Sequence, residues 1–286
     1  MLNDTLAVIN AIEGGPSIKA GIKSGDRILY ANNRKLYGEK ISTDTLMNIL
    51  KGEIDSDISL KVFRKSENKT FNFTFKRNIV PVKSVDVAVM LNETTGYIKV
   101  NRFAATTYKE FKKALDDLKK QNASEFILDF RNNGGGYVEI ADQMIEEFLP
   151  KDQVMVRLIS KAGTEDRIKS KGKGEYLKEK VYVIIDENSA SASEIFAGAI
   201  QDNDRGVIIG RRSFGKGLVQ RAIDMTYGTQ VKVTISRYYT PSGRCIQALD
   251  YTHRDAEGKA IRNDEKSYNV FKTRKGRTVY DGGGIL

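Results

Sequence analysis

Two short segments concentrate the residue types that nucleophilic chemistry needs. Ser189-Ala190-Ser191-Ala192-Ser193-Glu194 offers a serine among small neighbours, and Phe214-Gly215-Lys216-Gly217-Leu218-Val219-Gln220 offers a lysine 25 positions later. The usual partner of such a serine is nearly missing, because the one histidine, His253, sits in the polar stretch Tyr251-Thr252-His253-Arg254-Asp255. Lysine is then the best candidate to take the proton. It acts as a base near neutral pH only where burial or neighbouring charge lowers its pKa. The flanks of Lys216 are apolar or small in a chain otherwise rich in charge, which disfavours an ammonium. If 216–222 is a strand, Lys216 and Gln220 share a face, and the amide can orient the lysine.

Ser191 opens a helical pattern that follows the strand-like run 181–185. A helix N-terminus favours an anion nearby, and alanines on both sides leave the hydroxyl uncrowded. The competing role is structural, since Ser189, Ser191 or Ser193 could each cap that helix. Gly134-Gly135-Gly136, also after a strand, lets backbone N–H groups approach a ligand closely. With the N–H of Ala192 such a loop could hold a tetrahedral oxyanion, although three glycines are more often a plain turn. Gly210-Arg211-Arg212-Ser213-Phe214-Gly215-Lys216-Gly217 nearly spells a phosphate-binding loop. It fails where Gly217 replaces the metal-binding hydroxyl, and no long helix follows. Nucleotide binding is set aside.

The elements that must position these loops divide in two. The first ~80 residues read as a β-rich unit, with strands at 6–9, 27–30, 58–64 and 71–76 and a short helix at 42–51. Between the first two strands runs Glu13-Gly14-Gly15-Pro16-Ser17-Ile18-Lys19-Ala20-Gly21-Ile22-Lys23-Ser24-Gly25-Asp26, where Pro16 suits the start of a short helix. A connector at 79–90 leads to repeated strand–loop–helix units: strands at 96–100, 125–130 and 181–185, helices at 108–121, 138–148 and 191–201. That order predicts a parallel or mixed sheet covered by helices, with sites where loops leave the carboxyl ends of strands.

Composition narrows the rest. With 286 residues, 40 % hydrophobic and 29 % charged, the chain has room for two domains. No apolar run approaches the ~20 residues that span a bilayer, and the N-terminus lacks a signal-peptide pattern. One cysteine, Cys245, and one histidine exclude a disulfide framework and Cys/His zinc sites. Asp202-Asn203-Asp204 lacks calcium-loop spacing and reads as a helix end and turn. No metal or cofactor is expected. The net charge of +10 raises nucleic acid as a partner. The basic residues are spread out, however, and the densest run, 169–180, reads as a solvated loop without stacking aromatics. No nucleic acid is expected.

The Gly-rich segment resembles the core of a PDZ domain, Gly-x-Pro-Ala-x-x-Ala-Gly-(x3)-Gly-Asp-x-Ile, with Ser17 in place of the alanine. The family's carboxylate-binding glycine loop would lie upstream, and none precedes Leu6. An N-terminally truncated PDZ domain over 1–80, with an incomplete peptide groove, is therefore expected. Asp129-Phe130-Arg131-Asn132-Asn133-Gly134-Gly135-Gly136, the Ser191 and Lys216 segments, and Arg237-Tyr238-Tyr239-Thr240-Pro241-Ser242-Gly243 resemble the ordered motifs of the carboxyl-terminal processing, or tail-specific, proteases. The resemblance covers almost the whole chain. It implies a ClpP/crotonase-like α/β protease core over 81–286, with Ser191 as nucleophile and Lys216 as general base. It further implies that Gln220 positions the lysine and that Gly135 and Ala192 give the oxyanion-hole amides.

Gly134 stands where that family commonly has proline, and the end at Gly282-Gly283-Gly284-Ile285-Leu286 predicts a C-terminal truncation. The implied activity is ATP-independent endoproteolysis of polypeptides with accessible C-termini, in the bacterial periplasm or cell envelope, with a homo-oligomer left open. Relatives often couple the PDZ domain to active-site assembly, so the dyad of a trimmed chain is expected to be open to misalignment. A PDZ-type peptide-binding module with an unassembled dyad is the alternative reading. A crotonase-like acyl-CoA enzyme is a third, and a PDZ segment argues against it.

Overall fold

The computed structural model describes residues 5–12, 14–38, 41–80 and 82–286; Glu13, the first residue of the Gly-rich segment, lies outside the described residues. The chain forms two compact units, Met1–Val82 and Lys83–Leu286.

Among its described residues the first unit is an antiparallel sheet with two short helices. Its strands are β1 (Leu6–Ala7), β2 (Arg27–Ala31), β3 (Arg34–Lys35), β4 (Asp57–Arg64) and β5 (Lys69–Lys76), ordered β1-β2-β4-β5 with β3 on β2. Helix α1 (Pro16–Lys19) carries Pro16 in its first turn, and α2 (Thr43–Leu50) is capped by Ser42, whose hydroxyl accepts the Thr45 N–H. Period-two burial on β4 turns Ile58, Leu60 and Val62 inward against Ile22, Ile28, Leu36 and Leu46. At the end of β4, Arg64 reaches the buried Asp26 through two hydrogen bonds of 2.7 and 2.8 Å. The first strand is two residues long, shorter than the 6–9 read from sequence.

The second unit is built on a five-stranded sheet ordered β12-β11-β8-β7-β6. Strands β7 (Thr95–Val100), β8 (Glu125–Asp129), β11 (Lys180–Ile185) and β12 (Val207–Gly210) are parallel, while β6 (Val85–Met90) is antiparallel to β7. Helices α3 (Thr107–Lys120), α4 (Val138–Glu146) and α5 (Ala192–Asp202) pack with it around one core. Phe111, Leu115 and Leu118 form the buried stripe of α3.

A second, antiparallel sheet runs β10 (Glu165–Lys169), β9 (Val154–Ser160), β14 (Gln230–Tyr239), β13 (Leu218–Asp224). Two hairpins follow, β15 (Leu249–Arg254) with β16 (Ala260–Arg262) and β17 (Val270–Lys272) with β18 (Thr278–Tyr280).

Three sequence expectations are corrected here. The connector at 79–90 contains strand β6, whose mostly exposed residues give no alternation to read. The run 169–180 is not simply solvated: Tyr176 is buried and its ring meets Phe126 edge-on at 5.5 Å. The strand placed at 216–222 begins at Leu218, because the N–H groups of Lys216 and Gly217 are given to Glu194 Oε2 and Gln247 Oε1 and pairing with β14 starts at Leu218.

Candidate active site

Strands β8 and β11 are parallel neighbours. The Gly134-Gly135-Gly136 loop and the Ser191 loop therefore leave the same end of the sheet side by side, where sites form in such folds. Hydrogen bonds then weld them together. The Asn133 carbonyl accepts from Ala190 N–H at 3.0 Å and from Ser193 Oγ at 2.9 Å. Ser189 Oγ donates to the Phe130 carbonyl at 2.8 Å, and Asp186 Oδ1 accepts from Asn132 N–H at 2.9 Å. Below them, Asp129 accepts from Tyr97 Oη and the Arg131 guanidinium. Burial works to raise the Asp129 pKa, yet the hydrogen bonds from Arg131 and Tyr97 outweigh it and hold the carboxyl at about 2.

These bonds separate the three serines. Ser189 and Ser193 are buried and spend their hydroxyls on carbonyls, so both are structural. Ser191 stays partly accessible at the N-terminus of α5, with φ 57° and ψ −115°. A non-glycine residue pays for such a conformation in strain, and it persists only where its surroundings fix it. Gly135 is one of the groups that fix it. At φ +97°, a Cβ there would lie 2.6 Å from the Ala190 carbonyl oxygen and 2.9 Å from Ser191 Cβ. Only glycine lets the loop come so close.

The Lys216 segment is brought in by Glu194, on the first turn of α5. Its carboxylate is fully buried and accepts four hydrogen bonds. Oε2 takes the N–H of Ser191 and of Lys216, both at 2.9 Å. Oε1 takes Gly215 N–H at 2.7 Å and Ser213 Oγ at 2.5 Å. Burial pushes the Glu194 pKa up, and the bonds from Ser213, Lys216, Gly215 and Ser191 pull it back only in part. Tyr238 on β14 closes this side, donating to the Ser191 carbonyl at 3.4 Å. Burial and the Glu194 charge keep its phenol neutral.

The sequence-predicted residues are thus drawn together unevenly. Ser191, Ala192, Gly135 and the Lys216 backbone converge on one corner. Among the described residues no hydrogen bond joins Ser191 Oγ to the half-buried Lys216 Nζ, nor Lys216 Nζ to the Gln220 amide. Gln220 is exposed on β13, where it lines a cavity of about 740 Å³ with Leu218, Arg237 and Gln247. Of the two oxyanion-hole candidates, Ala192 N–H has no acceptor among the described residues, whereas Gly135 N–H donates to Asn133 Oδ1 at 2.9 Å. Sequence reasoning missed Glu194, Asn133 and Ser213. Ser191-x-x-Glu194 matches the helix capping box, a signal that could have pointed to Glu194. No short motif signals Asn133 or Ser213.

Residues 94–254 match the model of peptidase family S41, and residues 1–74 match a PDZ domain. Carboxy-terminal processing protease CtpB of Bacillus subtilis is 31 % identical over 86 % of this chain and 51 % of its own length. The carboxy-terminal-processing protease of Bartonella bacilliformis is 32 % identical over 94 % of this chain and 62 % of its own. Among solved structures, a photosystem II D1 C-terminal processing protease superposes with a TM-score of 0.53 at 27 % identity. That match covers 91 % of this chain and 68 % of the other. The chain spans between 51 % and 62 % of the length of these two curated relatives.

Proposed function

The chain belongs to peptidase family S41, and from that premise we propose that it is an ATP-independent serine endopeptidase acting on polypeptides with accessible C-termini. Ser191 Oγ attacks the scissile carbonyl while Lys216 Nζ takes its proton. The amides of Ala192 and Gly135 hold the oxyanion, and Gln220 steadies the lysine. Collapse expels the amine, which takes the proton back from Lys216. Water, deprotonated by the same lysine, then frees the acyl-enzyme. The PDZ-type unit, over about residues 1–80, captures the tail, and the remainder of the chain cuts it. The relatives' bacterial origin supports the cell envelope as the compartment.

The observation that carries this reading is the shared oxygen of Glu194, which ties the amides of Ser191 and Lys216 to one atom. Strain at Ser191 supports it as well, because nucleophiles are often held on such turns. Degradation of an unfolded protein with a free apolar C-terminus tests it. Wild type should cleave, and Ser191→Ala and Lys216→Ala should each lower the rate by at least ~1000-fold. Cleavage that survives Ser191→Ala removes that serine as nucleophile.

Two observations favour a second reading, a peptide-binding module or pseudo-protease with an unassembled dyad. Ser191 and Lys216 share no side-chain hydrogen bond, and Gly135 N–H is already given to Asn133. Peptide binding without turnover by wild type would establish it.

A further inference from the structure

Away from the active-site corner, the second unit carries a positive surface that the protease reading does not use. Two shallow depressions, about 580 and 450 Å³, share Asp204, Arg205 and Lys275 and so form one continuous patch beside the sheet-edge strand β12. Six cations line it, Lys178, Lys180, Arg205, Arg274, Lys275 and Arg277, against two carboxylates, Glu179 and Asp204.

The carboxylates are already spent. Asp204 is held by Arg277 at 2.6 Å and by Lys275 N–H, and Glu179 is paired with Lys119. Arg205 is consumed internally, donating to the carbonyls of Phe148, Tyr176 and Glu179. Arg274 binds only the neutral Gln153 amide. The ammonium groups of Lys178 and Lys275 have no partner among the described residues, and Lys180 stands 3.7 Å from Glu125. Lys178 and Lys275 therefore have no internal ion-pair partner among the described residues, and Lys180 has only a long, exposed one. Apolar side chains lie among them: Leu177 is 41 % exposed and Val207 is 50 % exposed.

We propose that this patch is a docking surface for an anionic lipid bilayer. Lysines without internal partners attract the negative surface, and Leu177 and Val207 sit at the headgroup boundary, the pairing that peripheral membrane binding uses. Nucleic acid fits less well, because Tyr182 is the only aromatic ring lining the patch and no stacking platform exists. No described helix is long and apolar enough to cross a membrane.

Co-sedimentation of the 286-residue chain with vesicles tests it. Vesicles of phosphatidylcholine with about 30 % phosphatidylglycerol should bind the chain at ~0.1 M salt, and pure phosphatidylcholine should not. The triple variant Lys178→Gln/Lys180→Gln/Lys275→Gln should weaken partitioning about fivefold per lysine, on the order of 100-fold in all. All three side chains are exposed, so the variant should melt with wild type. Absence of binding to the anionic vesicles overturns the proposal, as does wild-type binding by the triple variant. Retention of duplex DNA in preference to the vesicles overturns it in favour of a nucleic-acid surface.

Discussion

Glu194 Oε2 accepts the backbone N–H of Lys216 at 2.9 Å, and the same oxygen accepts the N–H of Ser191. The proposed base and nucleophile, 25 residues apart in the chain, are thus fixed to one atom. Four donors converge on this carboxylate. Glutamine in its place offers one acceptor oxygen and turns an NH₂ toward amides that also donate. Hydrogen bonds to a buried charge count for roughly 1.5–3 kcal/mol each. Glu194→Gln should therefore lower kcat/KM by at least ~100-fold. Initial rates on the same unfolded substrate, with melting temperature as the control for folding, check it.

Ser213 supplies a pH test of the same carboxylate. Burial has raised the Glu194 pKa above its ordinary value, and the Ser213 hydroxyl is the strongest of the bonds pulling it down. Removing it raises that pKa further. Protonated Glu194 can no longer accept all four donors, so activity should be lost on acidification. In Ser213→Ala the acidic limb of the kcat profile should move to higher pH. A limb that stays in place would show that Glu194 does not titrate across it.

Two adjacent glycines should respond oppositely to alanine. Gly135 is at φ +97°, and a Cβ would press on Ala190 and Ser191. Gly135→Ala should cost ~2–4 kcal/mol and distort the Ser191 turn. Gly134 has open space around its Cβ direction and no positive φ. Gly134→Ala should stabilise by ~0.4–1 kcal/mol by restricting the unfolded chain. Urea midpoints of the two variants decide it.

That contrast marks what was legible in the sequence. Strands β7, β8 and β11 and the helices after them were readable because their apolar runs are buried and periodic, and their order put both loops at one end of the sheet. Strand β6 was not, since its largely exposed residues carry no burial pattern. Glu194 was visible as a letter but not as a fourfold acceptor, because three of its four donors lie at 213, 215 and 216, across a contact only tertiary folding makes. The hydrogen bond from Gly135 N–H to Asn133 was likewise beyond reach. A motif names the residues of a site without giving its resting geometry.

In the first unit, Asp26 is fully buried and receives both Arg64 bonds. Burial works to raise its pKa, but the Arg64 bonds and the Lys23 N–H prevail and hold it below the ordinary value. Stability from this pair is therefore present above the ordinary carboxylate range and is lost as pH falls through the depressed pKa. Arg64→Met leaves the carboxylate buried without its partner and should cost ~3–5 kcal/mol. Thermal unfolding should show the unit over 1–82 melting first.

The opposite sign holds at Asp142 on α4. One of its oxygens, Oδ1, is buried with no hydrogen-bond partner among the described residues. Burial, helped by the nearby Glu139 charge, pushes its pKa up to about 7 from an ordinary 3.8. Between those values the folded state holds a proton that the unfolded state releases, so stability falls as pH rises from about 4 to about 7 and then levels. A shift of this size corresponds to roughly 4 kcal/mol of penalty on the ionised form. Asp142→Asn removes the titration. Its melting temperature should exceed that of wild type at pH ~8, where the wild-type carboxylate is charged, and approach it at pH ~4.5. Equal melting temperatures at pH ~8 would mean that water or a movement of α4 already solvates the carboxylate.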